Sequence, residues 1–220
     1  MADYLIIGGH GKVALRTAPL LTQAGHTVTS VIRNPDQSRD VEATGAIPLV
    51  LDIETASLAD LLRVSRGRDA VIWSAGAGGG NAERTRAVDR DAAIRSIDAA
   101  ASAGVHRYVM VSYLGAGRDH GVPEDDPFFA YAESKAAADD HLRASSLAWT
   151  VLGPSRLTLE EPTGRIDLVE PGRGRGSDRG TSRGNVALTI AAALDTDHTI
   201  GRTLGYTDGD TDILEAFAGA

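Results

Sequence analysis

A tyrosine and a lysine stand four residues apart in the stretch FFAYAESKAAADDHL, residues 128–142. The alanines and charged residues of this stretch predict a helix, and positions i and i+4 of a helix are neighbours on one face. Tyr131 and Lys135 are therefore predicted to lie side by side. A phenol next to an ammonium is suited to proton transfer, although two solvated surface residues would give the same spacing.

Lysine is rare in this chain. Of 22 basic residues, only Lys12 and Lys135 are lysines, and the others are arginines. Lysine carries a compact charge on a flexible stem, whereas arginine is a planar fork, so the two are not interchangeable. The two positions that hold lysine are therefore candidates for specific contacts.

The composition is that of a globular protein and narrows the class of function. Of 220 residues, 42% are hydrophobic and 24% are charged, and the formal net charge is −8. This acidic balance argues against binding to nucleic acid or to a membrane, because both require basic patches. The chain has no cysteine and its six histidines are scattered, so no metal site is expected. No targeting or membrane-spanning segment is recognisable, and we expect a cytoplasmic protein.

Short apolar runs alternate with longer helical patterns over the first 152 residues. Such alternation predicts parallel strands joined by right-handed crossovers, and hence a doubly wound, mainly parallel α/β sheet. Strands are predicted at residues 5–7, 27–32, 47–51, 70–73, 107–111 and 148–152. Helices are predicted at residues 12–24, 36–44, 56–64, 82–103 and 128–142.

The pattern loosens beyond residue 152. Residues 153–181 are predicted to be rich in loops, and the Arg/Gly segment 171–180 is interpreted as a mobile loop rather than an RNA-binding tract. A helix at 184–194, a strand at 203–206 and a short helix at 211–217 complete the prediction. We expect one domain spanning residues 1–220, in which the small C-terminal extension 154–220 forms most of the substrate-side wall.

The sequence GGHGKVA, residues 8–14, follows the first predicted strand and opens the first helix. The spacing Gly9-x-Gly11-x-x-Ala14 fits the dinucleotide-binding fingerprint, in which the first glycine, Gly9, permits a tight turn and the second, Gly11, permits close approach to a pyrophosphate. The free N–H groups of the helix N-terminus would then face the anion. A tight turn without a ligand is the alternative. The residues predicted to contact a cofactor here are Gly8, Gly9, His10, Gly11, Lys12 and Val13.

The end of the second predicted strand bears on the choice of nucleotide. Proteins that bind NAD(H) carry an acidic residue there, which accepts the ribose 2′-hydroxyl. This strand is instead followed by Arg33 and Asn34, and an arginine suits a 2′-phosphate. NADP(H) is therefore favoured, with Lys12 as a second positive charge near the phosphates. Asp36 keeps NAD(H) possible.

Taken together, the motifs resemble those of the atypical short-chain dehydrogenases, which have an NAD(P)-binding Rossmann fold. That group includes the NmrA-like proteins and the flavin and biliverdin reductases. The resemblance spans essentially the whole chain and depends on the order and spacing of its pieces. They are GGHGKVA (8–14), VIRNP (31–35), LDIE (51–54), WSAGAG (73–78), VDRDAAIRSIDAAASAGVHRYVMVS (88–112), YAESK (131–135), LRASSLAWTVLGPSRLT (142–158) and TSRGNVALTIAAAL (181–194).

The resemblance implies further contacts with the cofactor. They fall just past the C-terminal ends of predicted strands, where open α/β sheets bind their ligands. For Asp52, and for Ser112 after the fifth predicted strand, capping or turn formation is the alternative role. Asp52 and Ile53 would lie beside the adenine, Ala75 and Gly76 beside the riboses, and Pro154 and Ser155 beside the nicotinamide carboxamide.

The resemblance also implies catalytic roles. Tyr131 would be the acid/base, Lys135 would lower its pKa and bind the nicotinamide ribose, and Ser112 would hold the substrate oxygen. The expected protein is a monomer or homodimer that reduces a small carbonyl, quinone-like or flavin-like substrate by hydride transfer from NADP(H). The alternatives are a non-catalytic NADP(H) sensor of the NmrA type and a nucleotide-sugar-type epimerase or dehydratase.

Overall fold

The computed structural model describes residues 1–78, 81–169 and 179–219. Strands and helices alternate along it, and a π-helical segment, Arg86–Ala92, joins two of the helices. The strands are β1 (Asp3–Ile7), β2 (Thr27–Ile32), β3 (Ile47–Val50), β4 (Ala70–Trp73), β5 (Arg107–Val111), β6 (Ala148–Pro154), β7 (Leu157–Thr158), β8 (Arg165–Val169), β9 (Thr181–Ser182), β10 (Arg202–Asp208) and β11 (Thr211–Asp212). The helices are α1 (Ala14–Gln23), α2 (Ser38–Glu42), α3 (Leu58–Ser65), α4 (Ala82–Thr85), α5 (Ala93–Ser102), α6 (Phe129–Arg143), α7 (Arg183–Asp195) and α8 (Ile213–Ala218).

Within the described residues, nine strands form one sheet in the order β11-β8-β10-β6-β5-β4-β1-β2-β3. The strands from β10 to β3 in this order are parallel, whereas β8 runs antiparallel to both β10 and β11. The predicted doubly wound α/β sheet is therefore confirmed. Its strand order reverses between β1 and β4, and in open α/β sheets the crevice at such a point is where ligands bind.

The sheet is covered on both faces, as β1 illustrates. Successive side chains of a strand point to opposite faces, so Tyr4 and Ile6 enter one core and Leu5 and Ile7 enter the other. The first core is shared with α1 and α7, and the second with α5 and α6. In the described part of the chain, no helix is long and apolar enough to cross a membrane.

The prediction that residues 153–181 are rich in loops is wrong in part. This stretch contains β7, β8 and the beginning of β9. Strand β8 buries Ile166 and leaves Arg165 exposed, but its antiparallel partner β10 lies more than 30 residues further along the chain. A local pattern does not reveal such a distant pairing. Residues 171–178 of the Arg/Gly segment lie outside the described residues.

The predicted single helix 82–103 is divided in the structure. It consists of α4, the π-helical segment and α5 in direct succession. A π-helix bonds residue i to residue i+5 and often occurs at functional sites. Here it carries Asp89, which is buried. The hydrogen bonding of a π-helix leaves no compositional trace, so the sequence pattern gave an uninterrupted helix.

Candidate functional site

The loop between β1 and α1 turns at Gly8. Its φ is +88°, a conformation that L-residues with side chains rarely adopt, and its carbonyl accepts the Gly11 N–H at 2.9 Å. A Cβ at Gly8 would lie 2.6 Å from the Ala75 Cα. The fingerprint assigned the tight turn to Gly9, and this is corrected: the turn belongs to Gly8.

Gly9 serves a different purpose, which is the close approach of the loop to β2. A Cβ at Gly9 would lie 2.5 Å from the Ser30 Cβ, and the Gly9 N–H donates to Val31 O at 2.8 Å. Helix α1 then begins at Ala14 rather than at the predicted Lys12. The N–H groups of Lys12 and Val13 have no partner within the described part of the chain, so the loop fits an anionic group such as a pyrophosphate.

A cavity of about 270 Å³, which we call the outer cavity, opens at the ends of β1, β2 and β3. It brings together many of the residues predicted to contact the cofactor. Asn34 points elsewhere, because its side-chain oxygen accepts the Asp36 N–H at 3.0 Å and caps a short 3₁₀ turn. The predicted residues that line the outer cavity are Gly8, His10, Gly11, Arg33, Asp52, Ile53, Ala75 and Gly76.

The charged groups of the outer cavity are paired with one another. The Glu54 carboxylate lies 3.1 Å from Arg84 Nε and 3.9 Å from Arg33 Nη1. The Arg33 side chain is 57% exposed, so this pair is weak. Arg95 donates to the carbonyls of Ile53 and Glu54 and fixes the turn after β3. Arg33 is therefore available to a ligand in this cavity.

A second cavity, the inner cavity, has a volume of about 990 Å³ and runs from the loop to α6. Lys12 and Val13 line one part of it, and Ser112, Tyr131 and Lys135 line another. The glycine loop 8–13 and all three predicted catalytic residues therefore line the same cavity.

Lys135 is buried beneath this cavity. Only 1% of the residue is exposed, and its ammonium donates to Val111 O at 2.8 Å and contacts Met110 Sδ at 3.6 Å. These contacts exclude the reading of Lys135 as a solvated surface charge.

The pKa of Tyr131 is raised, whereas the resemblance implied that Lys135 would lower it. Burial raises the pKa of the Tyr131 hydroxyl above its ordinary value, and negative charge on Asp89 or Asp139 raises it further. Burial and nearby negative charge both disfavour the phenolate. Tyr131 is consequently a neutral phenol at physiological pH, able to donate a hydrogen bond but not poised to lose its proton.

Asp139 was missed by the sequence analysis. It is fully buried, and its Oδ2 accepts the Ser112 hydroxyl at 2.5 Å. Burial raises the pKa of the Asp139 carboxyl, while Lys135 and the Ser112 hydrogen bond oppose this. A usable signal was present: Tyr131, Lys135 and Asp139 are spaced by four, which places them on one helix face.

Asp89, from the π-helical segment, is the second carboxylate that the sequence did not reveal. It is 1% exposed, lines the inner cavity, and accepts the Ala77 N–H at 3.0 Å. Arg84 donates to the carbonyl of the same residue, Ala77, at 2.9 Å. The backbone that follows β4 is thus held from two sides. Burial raises the pKa of Asp89, against the opposing charge of Lys135.

A third space, the aromatic cavity, has a volume of about 560 Å³ and adjoins the inner cavity. Three rings meet on its wall: Tyr131 packs against Phe128 and Tyr113, with ring centroids 5.1 and 5.5 Å away. Pro154 and Ser155 line this space. Ser112 and Tyr131 line both the inner and the aromatic cavity, and so mark their junction.

Comparison with known proteins identifies the family to which the chain belongs. A family model for NAD(P)H-binding proteins matches residues 8–197. YhfK of Bacillus subtilis, which is called an uncharacterized sugar epimerase, is 34% identical over 214 residues that cover 96% of each protein.

Two solved structures share the fold over nearly their whole length. A Bacillus halodurans protein described as a candidate NAD-dependent epimerase/dehydratase is 31% identical, with a TM-score of 0.89 and complete coverage of both chains. The oxidoreductase ylbE of Lactococcus lactis is 25% identical, with a TM-score of 0.85 over 99% of this chain and 95% of that one. The present chain therefore belongs to the NAD(P)H-binding family of Rossmann-fold proteins, as its motifs predicted.

Proposed function

We propose that this protein is an NADPH-dependent oxidoreductase that reduces a small carbonyl, quinone-like or flavin-like compound by hydride transfer. One observation carries the proposal. The inner cavity joins the glycine loop to Ser112 and Tyr131, and the aromatic cavity begins at the same two side chains. A cofactor in the first space and a flat organic substrate in the second would meet at two hydroxyl groups.

The chain's own residues fit a dinucleotide. The loop 8–13 would hold the pyrophosphate with backbone N–H groups, Asp52 and Ile53 would flank the adenine, and Lys135 would reach the nicotinamide ribose. Pro154 and Ser155 would lie beside the carboxamide. When bound in its reduced form, the cofactor supplies a hydride to the substrate.

The substrate oxygen would lie between Ser112 and Tyr131. Negative charge develops on that oxygen during carbonyl reduction, and preorganised donors stabilise such charge in a site that excludes water. Tyr131 donates as a neutral phenol in this account, which fits its raised pKa. The C-terminal residues 154–157 and Arg183 also line these cavities, which supports a substrate-side role for the segment 154–220.

The preference for NADPH is supported by the charges around the outer cavity. Arg33 and Arg84 both line it, and guanidinium groups bind phosphate oxygens in a bidentate manner. Asp36, whose carboxylate would favour NADH, is not among the residues that line this cavity.

A second candidate function is an epimerase or dehydratase, in which the cofactor is oxidised and reduced within one cycle. The names of YhfK and of the Bacillus halodurans protein favour it. The apolar and aromatic wall formed by Tyr113, Phe128 and Leu157 argues for a less polar substrate than a sugar.

The test is a spectrophotometric assay of NADPH consumption against a panel of aldehydes, ketones and quinones, with Ser112→Ala as the matched variant. We expect the wild type to consume NADPH with at least one compound, and Ser112→Ala to bind NADPH with wild-type affinity but turn over on the order of 100-fold more slowly. Tight binding of NADPH without consumption by any compound would favour a sensor of the NmrA type. Conversion of a substrate without net consumption would favour the epimerase.

A further inference from the structure

The Asp139 carboxyl has an unusual environment for a buried acid. It is fully enclosed, and its Oδ2 has one partner, the Ser112 hydroxyl at 2.5 Å. Its Oδ1 has no hydrogen-bond partner among residues 1–78, 81–169 and 179–219. A buried carboxylate is stable in its ionised form only when several donors or a close cation compensate the loss of water. A single hydroxyl provides little of that compensation.

The charges nearby do not balance two ionised carboxylates. Lys135 acts on both Asp139 and Asp89 by charge alone, since its hydrogen bonds go to Val111 O and Met110 Sδ. Arg143 and Arg84 add weaker, partly exposed charges. The charged and titratable groups that face Asp139 are Lys135, Arg143, Asp140 and Tyr131. With both carboxyls ionised, the buried group of Lys135, Asp89 and Asp139 carries one net negative charge. One additional proton on either carboxyl would neutralise it.

Geometry favours Asp139 over Asp89 as the holder of that proton. Asp89 accepts from the backbone N–H of Ala77, which always donates. Asp139 accepts from the hydroxyl of Ser112, which can reverse its direction. If Asp139 is protonated, it donates to Ser112 Oγ, and the serine hydroxyl is then free to donate into the cavity.

We propose that Asp139 holds a proton in the resting protein and passes it to the substrate oxygen through Ser112. This inference rests on the proposed reduction of a carbonyl. As the carbonyl carbon gains the hydride that the reduced cofactor supplies, the carbonyl oxygen takes the Ser112 proton, and Ser112 Oγ takes the proton from Asp139 Oδ2. The products are an alcohol, the oxidised cofactor and an ionised Asp139.

Recharging uses the same path in reverse. Asp139 is closed to solvent, but Ser112 lines both cavities. Water that enters after product release gives a proton to Ser112 Oγ as the serine passes its own proton to the carboxylate, and the hydroxide left behind is neutralised in the solvent. In this scheme Asp139 is a positioning and proton-storing residue, Ser112 is the group that touches the substrate, and Tyr131 donates a hydrogen bond without being deprotonated.

The decisive experiment is infrared difference spectroscopy of the cofactor-free protein, which needs no substrate. A buried protonated carboxyl has a C=O stretch that is separate from the carboxylate bands. We expect this band at neutral pH in the wild type, its loss in Asp139→Asn, and its retention in Asp140→Asn, the neighbouring carboxyl that pairs with Arg118 and Arg143 on the helix surface. A wild-type spectrum at neutral pH that has no protonated-carboxyl band dependent on Asp139 would overturn the proposal.

Kinetics with any quinone or carbonyl compound that the wild type reduces supply the second readout. Asp139→Asn should lower kcat on the order of 100-fold, leave the KM for NADPH unchanged, and remove the decline in kcat at high pH. The double variant Ser112→Ala/Asp139→Asn should lose no more than Ser112→Ala, because the two act as one path. Multiplicative losses, or an unchanged pH profile, would contradict the proposal.

The two experiments separate this inference from the proposed function. If the wild type reduces no compound, the proposed function fails, while the infrared band still decides whether Asp139 holds a proton. If the wild type is an active reductase but the band is absent, the function stands and the Asp139 path is wrong.

Discussion

The outer and inner cavities lie side by side at the edge of one sheet, but their charged side chains differ in exposure to solvent. In the outer cavity the Arg33 side chain is 57% exposed, and Arg33 and Arg84 share the carboxylate of Glu54. In the inner cavity Lys135 and Asp89 are 1% exposed, and Asp139 is fully buried. Solvent screens the first group, whereas the charges of the second act on one another through a medium of low polarity.

Because of this difference, we expect the outer cavity to contribute to ligand binding and the inner cavity to the chemical step. Exposed charges and a shaped backbone loop contribute affinity and selectivity for a ligand. The buried carboxyls of Asp89 and Asp139 have raised pKa values, which is the condition for moving a proton near neutral pH. Changes in the outer cavity should therefore alter nucleotide affinity, and changes in the inner cavity should alter turnover, stability and their dependence on pH.

Lys135→Met should have the largest effect. It leaves Asp89 and Asp139 without their common buried cation, and the loss of one partner of a buried ionic group costs about 3–5 kcal/mol. We expect a clearly lowered melting temperature together with loss of turnover. Lys12→Met is the matched control, because Lys12 is the other lysine and is exposed. It should weaken NADPH binding without a change in melting temperature. If both variants had the same melting temperature, the claim that only the buried lysine contributes to stability would be wrong.

Gly9→Ala should have the next largest effect. The added methyl would lie 2.5 Å from the Ser30 Cβ, and such overpacking costs about 1–3 kcal/mol. The strand and loop must separate, so NADPH affinity should fall by at least tenfold in a fluorescence titration. Gly117→Ala is the control, because a Cβ there meets no described atom within 4 Å. Wild-type affinity in Gly9→Ala would mean that the loop does not cradle the nucleotide.

Arg33→Asp should change selectivity with little effect on stability. Removing a charge-assisted contact with the 2′-phosphate should weaken NADPH binding about tenfold or more, or roughly 1.4 kcal/mol, and leave NADH binding nearly unchanged. Arg39→Asp applies the same change of charge at an exposed position on α2. Calorimetric titration with both nucleotides measures the effect. Equal affinity of the wild type for NADPH and NADH would remove the 2′-phosphate assignment.

The smallest effect concerns the dependence of stability on pH. The pKa of Asp139 is raised in the folded state, so its favourable contribution is present below about pH 4, the pKa of an unfolded aspartate, and is lost as the pH rises through the folded pKa. Asp139→Asn should therefore become more stable relative to the wild type as the pH rises from acid to neutral.

Asp60 provides the opposite sign on the protein surface. Hydrogen bonds from Ser57 lower the pKa of Asp60, so its contribution is present above the unfolded pKa and is lost as the pH falls through the folded pKa. Asp60→Asn should lose stability relative to the wild type as the pH rises, and denaturant unfolding at several pH values compares the two variants. If the stability difference from the wild type changes with pH in the same direction for Asp139→Asn and Asp60→Asn, burial does not determine the direction of the Asp139 pKa shift.

The outer cavity was largely predictable from the sequence. In the inner cavity the sequence predicted Ser112, Tyr131 and Lys135, but not the two buried carboxyls beside them. The loop 8–13, the arginine after β2 and the pair Asp52–Ile53 follow from motifs in which neighbours in sequence are neighbours in space. The burial of Asp89 and Asp139 depends on the packing of the π-helical segment, α6 and the end of β5, which come from separate parts of the chain. For that reason the direction of the Tyr131 pKa was also wrong: it is set first by burial and then by these two carboxyls, and neither was recognised.

The central claim is that the inner cavity holds a reduced nicotinamide next to a carbonyl substrate and that a hydride passes between them. The most direct test is a single-turnover reaction with NADPH that carries deuterium at the transferable position, analysed by mass spectrometry and NMR. The account predicts one deuterium on the former carbonyl carbon and one oxidised cofactor for each product molecule. Product without deuterium, or product formed while the cofactor stays reduced, would contradict it.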